Sequence, residues 1–257
     1  MGVGKAILES LDISVEQDST KQRPAISVDN LTHEYISGQT LSRVLHGANL
    51  SVSPGESVAL IGRSGSGKST LLNLISGLEP LSNGEVKING HSLKPMNDNQ
   101  RTLLRGRHIG FIYQAFNLIP TLSVKDNVAL PLALMRTPQP LQTARVNFLL
   151  DAVGLGHRAD DYPDRLSGGE QQRIAIARAL AHEPALILAD EPTGNLDAES
   201  GRQVLSLLTQ LVNAQSSAML LVTHSSEVAR AADHVLMLDN GKIEHLNSET
   251  MEQNATW

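Results

Sequence analysis

Leu166-Ser167-Gly168-Gly169-Glu170, followed by Gln171-Gln172-Arg173, is the stretch that decides the fold of this chain. At average residue frequencies, the five-residue motif arises by chance in about one chain in a few thousand of this length. Ser167 and Gly169 would offer a hydroxyl and a backbone N–H at the start of a helix, where anions bind. A glycine-rich entry into an ordinary helix has the same appearance, so the meaning of the motif depends on the rest of the sequence.

A second glycine-rich segment lies upstream, between the apolar run 57–61 and a helical pattern over 70–75. Strand, loop and helix in this order are the context that a phosphate-binding loop requires. Its glycines let backbone N–H groups face phosphate oxygens, Lys68 reaches the β- and γ-phosphates, and the hydroxyl of Ser69 binds Mg²⁺. The predicted nucleotide-binding residues here are Gly62, Arg63, Ser64, Gly65, Ser66, Gly67, Lys68, Ser69 and Thr70.

Two adjacent carboxylates, Asp190 and Glu191, follow the apolar run 186–189. The first can hold Mg²⁺ and the second can polarise an attacking water, as phosphoryl transfer requires. Adjacent acids at a strand end are also common on protein surfaces. Their combination with a phosphate loop is what predicts phosphoryl chemistry.

Three further polar or aromatic residues are candidates because of where they lie. Gln114 follows the apolar run 109–113, and its amide can contact both Mg²⁺ and water. His224 follows the run 220–223 and can bond the γ-phosphate. Tyr35 lies ahead of the predicted second strand and can stack on adenine or pack as an ordinary surface ring. In isolation, Gln114 and His224 would be ordinary loop residues.

Composition excludes several function classes. The 257 residues suit one α/β domain or two small ones, and a net charge of −6 without a basic run argues against nucleic-acid binding. The absence of cysteine excludes disulfides and thiol catalysis, and it suits a reducing compartment. No apolar run approaches the roughly 18 to 20 residues that span a bilayer. We therefore expect a chain that stays in the cytosol and docks onto a membrane protein if it works at a membrane.

The pattern along the chain predicts an α/β fold with an all-helical insertion. Residues 1–24 are polar and are expected to form a flexible extension. Short strands are expected at 25–28, 48–52, 57–61, 85–88 and 109–113. Helices are expected at 124–135 and 141–153, separated by Pro138 and Pro140. A helix over 171–181 is followed by alternating short strands and helices: strands 186–189, 218–222 and 235–238, and helices 198–212 and 228–232. Asn240-Gly241 predicts a hairpin turn.

The motifs occur in the order found in ATP-binding cassette ATPases, which the chain resembles from about residue 25 to residue 243. The resemblance implies an α/β P-loop NTPase over residues 25–245, with a small antiparallel β portion and a helical subdomain at about 115–167, inserted after the Q-loop. Residues 246–257 would be a tail. It also implies roles by position: phosphate (Walker A) loop 62–69, Q-loop Gln114, signature 166–170, metal acid Asp190, catalytic base Glu191, D-loop Asp197 and switch histidine His224.

The resemblance further implies partners. Such ATPases work as head-to-tail pairs, so Ser167, Gly168, Gly169 and Glu170 would contact ATP held by a second copy. Segments 110–122 and 127–132 resemble the bacterial subfamily of lipoprotein-releasing and macrolide-export systems. A permease of the macrolide-exporter or cell-division type is then expected, with this subunit on the cytoplasmic side of the inner membrane. A regulatory ATPase that partners a cell-division permease without moving solute is the alternative.

Two features bear on the finer resemblance. Phe116, Leu118, Ile119 and Pro120 would either receive a short helix of the permease or pack within the helical insertion. Ser225 follows the switch histidine, where the subfamily often has Asp. This departure leaves the predicted ATPase chemistry unchanged, because the residues assigned to chemistry are all present.

Overall fold

The computed structural model describes residues 23–37 and 40–246. The predicted extension and tail therefore lie almost entirely outside the described residues. The strands are β1 (Ile26–Ser37), β2 (Thr40–Val52), β3 (Ser57–Ile61), β4 (Asn83–Ile88), β5 (His91–Ser92), β6 (Ile109–Tyr113), β7 (Leu186–Asp190), β8 (Ala218–Val222), β9 (His234–Asp239) and β10 (Lys242–His245). The helices are α1 (Lys68–Ile75), α2 (Asp98–His108), α3 (Val124–Leu134), α4 (Gln139–Ala152), α5 (Gly168–Leu180), α6 (Ala198–Ala214) and α7 (Ser226–Ala229), with short 3-10 turns at Gly156–Arg158 and Pro163–Arg165.

A six-stranded sheet with the order β10-β9-β3-β8-β7-β6 forms the centre of the molecule. Its strands from β9 to β6 are parallel, and β10 pairs antiparallel with β9. Every residue of β3 and β8 is buried, as expected when helices or a second sheet cover both faces of a parallel sheet. The carboxyl ends of parallel strands meet at one edge, and this edge carries the phosphate loop, Gln114, Asp190 and His224.

Successive side chains of the central strands enter two different cores. In β7, Leu186 and Leu188 belong to the core beneath the antiparallel sheet and α1. Ile187 and Ala189 belong to the core beneath the helical insertion, α5 and α6. This alternation follows from the two-residue period of a strand. Burial on both faces explains why the strands are continuous apolar runs and could be located from the sequence.

A four-stranded antiparallel sheet with the order β2-β1-β4-β5 is the predicted small β portion. β1 is much longer than the predicted strand 25–28, because it pairs with β2 along its length and with β4 over its first part. Tyr35 consequently lies within β1 and still precedes the second strand, as predicted. Asn240 and Gly241 form the predicted hairpin turn, both with positive φ.

The segment between β6 and α5 contains only helices and turns, as predicted. α3 ends one residue before the predicted position, and α4 starts two residues early. The early start is possible because Pro138 is the N-cap residue and Pro140 lies in the first turn, where an N–H is not needed. α2 was not predicted, because only Leu104 of this helix is buried. Among the described residues, no helix combines the length and apolar character needed to cross a membrane.

Candidate active site

The phosphate loop turns sharply from β3 into α1. Gly65 and Gly67 have φ of +78° and +101°, a region that glycine occupies without strain. A Cβ on Gly62 would lie 2.5 Å from the carbonyl oxygen of Leu238, so this position also requires glycine. Gly67 is the N-cap of α1, and no described side chain caps this end. The N–H groups of the first turn are therefore available to an anion.

Lys68 is held inside the loop by backbone carbonyls. Its Nζ donates to the carbonyl oxygens of Gly62 at 2.6 Å and Arg63 at 3.0 Å. Burial lowers the pKa of this ammonium, while the nearby Glu191 and Asp190 act in the opposite direction. The geometry places a buried positive charge at the centre of the loop, where a phosphate would bind.

The two carboxylates lie across a cleft from this lysine. The pKa of Asp190 is raised, mainly by burial and also by the neighbouring Glu191, while Lys68 acts in the opposite direction. Glu191 has a positive φ of 46°, and its Oε2 lies 2.8 Å from His224 Nδ1. The described lining of the cleft is Val44, Ser64, Gly65, Gly67, Lys68, Ser69, Thr70, Asp190, Glu191 and His224. Residues far apart in sequence, predicted separately, are thus brought together.

Gln114 lies at the same sheet edge but points to a neighbouring turn. Its Nε2 donates to Asn195 Oδ1 at 3.1 Å, and Asn195 Nδ2 donates to the carbonyl oxygen of Gln114 at 2.9 Å. Gln114 is not part of the described cleft lining. In this conformation its amide is bound to the turn that precedes Asp197.

Tyr35 is attached to the helix that follows the phosphate loop. Its hydroxyl bonds Glu79 Oε2 at 2.7 Å and lies 3.3 Å from Thr70 Oγ1 of α1. The ring packs edge-on against His33, with the ring centres 4.8 Å apart. With 40% of the residue exposed, the ring retains free surface on which a base can stack.

The signature segment forms a second site. Ser167 caps α5, because its Oγ accepts from the Glu170 N–H at 3.3 Å and its own N–H donates to Glu170 Oε2 at 2.8 Å. These bonds from Ser167 lower the pKa of Glu170. Because Ser167 is the cap, α5 starts at Gly168 rather than at the predicted residue 171. Ser167, Gly169 and Glu170 line a cleft that shares no residue with the cleft at the phosphate loop.

Asp197 caps α6 on the other side of the Glu191–His224 pair. Its side chain accepts from the N–H groups of Glu199 at 3.1 Å and Ser200 at 3.0 Å. The side-chain hydroxyl of Ser200 and then these backbone bonds lower the pKa of Asp197. A further cleft is lined by Glu191, Asp197 and His224 together. The turn that carries Asp197 thus adjoins the Glu191–His224 pair without entering the cleft at the phosphate loop.

The comparisons with known proteins agree with this geometry. The family model described as ABC transporter matches residues 45–194, more than half of the chain. The chain belongs to this ABC family. An uncharacterized ABC transporter ATP-binding protein of Mycobacterium tuberculosis is 46% identical over 86% of this chain and 90% of its own length. The lipoprotein-releasing system ATP-binding protein LolD of Pseudomonas syringae is 44% identical over 86% of this chain and 97% of its own.

Solved structures of ABC cassettes match as well. A dimeric post-hydrolysis structure of the cassette MJ0796 with ADP and phosphate has a TM-score of 0.77 and 37% identity, covering 87% of this chain and 99% of that one. A second dimeric structure of the same cassette has the same TM-score at 38% identity. This ABC protein is therefore an ATP-binding and ATP-hydrolysing subunit with the predicted α/β P-loop fold.

Two side chains of α5 that contact the residues around the site were not predicted from the sequence. Arg178 of α5 donates to the carbonyl oxygens of Phe116 and Asn117, two residues with positive φ that follow Gln114. Gln172 of α5 is fully buried and reaches the strand ends next to Gln114 and Glu191. The signal for Arg178 was present in the sequence, since a charged side chain lies within an otherwise apolar stretch of α5.

Proposed function

We propose that this ATPase works as a head-to-tail pair that energises a separate membrane permease. The observation that supports the pair is the division of the anion-binding groups between two clefts with no shared residue. A nucleotide bound at the phosphate loop of one copy would meet Ser167, Gly168, Gly169 and Glu170 of the second copy. The relatives that form dimers as cassettes support the same arrangement.

Residues of both copies then have defined tasks. The phosphate loop and Thr70 bind the phosphates through N–H groups and hydroxyls, and Lys68 carries the compensating charge. Tyr35 supports the adenine. Glu191 orients the attacking water, and His224, 2.8 Å from its carboxylate, bonds the γ-phosphate. Asp197 lies at the contact between the copies.

The donor set of the cleft fits Mg²⁺. Ser69 and Asp190 line the same cleft, and hydroxyl and carboxylate oxygens are the ligands that Mg²⁺ prefers. Bound there, the ion would neutralise charge on the β- and γ-phosphates. Gln114 would join this set after leaving Asn195, and this exchange would report the γ-phosphate to the helical subdomain.

The surface after Gln114 supports a docking role for the helical subdomain. Leu118 packs against the core of the insertion, whereas Ile119 and Pro120 are exposed. The fully buried Asn127 fixes this loop, because its amide exchanges bonds with the N–H and carbonyl groups of Ile119 and also donates to Leu122 O and Ser123 O. We propose that Ile119 contacts the permease and that Leu118 serves packing.

The partner would be a permease of the lipoprotein-releasing or macrolide-export type, with this subunit peripheral on the cytoplasmic face of the bacterial inner membrane. Curated relatives that are named lipoprotein-releasing system ATP-binding proteins support this assignment. The domain limits proposed for the ATPase are residues 25–245, with the helical subdomain at about 115–167.

An affinity pull-down tests the proposal. The Glu191→Gln variant with ATP would be recovered from detergent-solubilised membranes of the native host, and its partners identified. We expect to recover a permease with a large periplasmic domain. Less of this permease should be recovered when Ile119→Glu is added to Glu191→Gln. The single variant Ile119→Glu should keep its ATPase activity. Recovery of soluble partners alone would contradict a transport role.

A further inference from the structure

Gln172 is a fully buried amide that joins the signature helix to the catalytic edge of the sheet. Its Nε2 donates to the carbonyl oxygen of Pro192 at 2.6 Å and, more weakly, to that of Tyr113 at 3.4 Å. Pro192 directly follows Glu191, and Tyr113 directly precedes Gln114. One side chain of α5 therefore contacts both strand ends from which the catalytic machinery extends.

The backbone at Glu191 needs such support. A φ of +46° is unfavourable for a residue with a side chain, and a following proline restricts the conformation further. A conformation of this kind persists only where the surrounding structure enforces it. Two backbone bonds do so, from Glu191 N–H to Val222 O at 2.9 Å and from Gly194 N–H to Glu191 O at 3.0 Å. The bond from Gln172 to Pro192 is a third, and it comes from a different element.

Packing alone does not account for an amide at this position. The Oε1 of Gln172 is buried without a hydrogen-bond partner among the described residues. A buried acceptor without a partner destabilises a fold, whereas an apolar side chain of the same size would not. An amide is therefore favoured at this position for the hydrogen bonds that its Nε2 donates.

We propose that Gln172 is a positioning residue for the catalytic base. By bonding Pro192 it holds the turn that directs the Glu191 carboxylate towards the attacking water, and it fixes that turn to the helix that begins with the signature. This inference rests on the proposed role of Glu191. The bond acts on the chemical step, so its loss should change turnover without changing ATP binding.

The test is Gln172→Met in the purified full chain. We expect kcat to fall about 10- to 100-fold, the range for a misplaced catalytic group, with the KM for ATP and the thermal unfolding midpoint maintained. Gln142→Met is the matched control, because Gln142 is also buried and donates to a carbonyl oxygen, that of Thr137, at 2.6 Å in the helical insertion. Its kcat should equal that of the wild type. Gln172→Leu replaces the Met variant if that variant does not fold.

A second background separates positioning from general damage to α5. With Glu191→Gln already present, Gln172→Met should leave ATP affinity and the ATP-dependent dimer unchanged, since no carboxylate remains to be positioned. Wild-type kcat in Gln172→Met, or loss of the dimer in the double variant, would overturn the inference. Retained turnover in Glu191→Gln alone would instead reject the proposed role of Glu191, which keeps the two failures distinguishable.

Discussion

The cleft at the phosphate loop and the cleft at the signature are built in different ways. The first gathers the carboxyl ends of β3, β7 and β8, so its geometry depends on the order of strands in the sheet. The second lies between helices, where the start of α5 meets the end of α4 and one face of α6, and the capping box of Ser167 and Glu170 fixes its α5 side. The first holds the buried lysine and the acids, whereas the second offers a helix N-terminus and no residue of the first. In the proposed pair, this difference would assign the chemistry to one copy and the closure of the site to its partner.

The largest effect is expected on turnover, when the proposed base in the first cleft is removed. Glu191→Gln keeps the side chain's shape but removes the charge that faces His224, 2.8 Å away. We expect turnover to fall about 10²- to 10⁴-fold, the range for a general base, while ATP binding is retained. Steady-state phosphate release and equilibrium nucleotide binding measure the two quantities. Glu244→Gln, an exposed position on β10, is the control and should behave as wild type.

Lys68→Ala should weaken binding rather than slow chemistry alone. The carbonyl oxygens of Gly62 and Arg63 hold the ammonium where it would meet a phosphate, and a hydrogen bond to a charged group contributes about 1.5–3 kcal/mol. ATP affinity should therefore fall about 10- to 100-fold. Lys87→Ala, which removes a surface lysine paired with Glu85 at 3.0 Å, should leave affinity unchanged. Equal affinities for ATP in Lys68→Ala and Lys87→Ala would show that the phosphate loop binds ATP without Lys68.

The smallest effect is expected from Glu170→Gln, measured as the free energy of unfolding. Glu170→Gln retains a residue that can complete the capping box but removes the charge at the helix N-terminus. Because the folded-state pKa of Glu170 is lowered, its contribution is present above the unfolded pKa and is lost as pH falls through the folded pKa. The variant should be less stable by under ~1 kcal/mol at neutral pH. Urea unfolding should show this difference disappearing in acid; a difference independent of pH would contradict the assignment.

The sequence predicted the parts of the fold that depend on short-range pattern. β3, β6 and β8 have the predicted bounds, because buried parallel strands are continuous apolar runs between turn signals. The helical insertion was predicted from its helical pattern and from the break at Pro138 and Pro140. α2 was missed because its surface is mostly polar and a single leucine anchors it.

Most of the residues that line the cleft at the phosphate loop could be named from the sequence, but their contacts could not. The pairing of Gln114 with Asn195, and the bond from Gln172 to Pro192, join positions far apart in the chain. No periodicity or spacing indicates them, because they depend on how α5 and the β7–α6 turn pack against the sheet. Tyr35 shows the same limit, since its hydroxyl bonds Glu79, which no motif includes.

The most direct test of two half-sites measures whether the signature acts on the partner's ATP. In the Glu191→Gln background, Ser167→Asp preserves the helix cap. It also adds a negative charge that would repel the γ-phosphate of the ATP bound to the partner. Light scattering with saturating ATP should show Glu191→Gln as a dimer, the double variant as a monomer, and Glu191→Gln with Ser167→Asn, a neutral cap, again as a dimer. The affinity of the monomeric double variant for ATP should equal that of a single copy of Glu191→Gln before it forms a dimer. A double variant that still dimerises, or one that loses ATP as a monomer, would contradict the division between the two clefts.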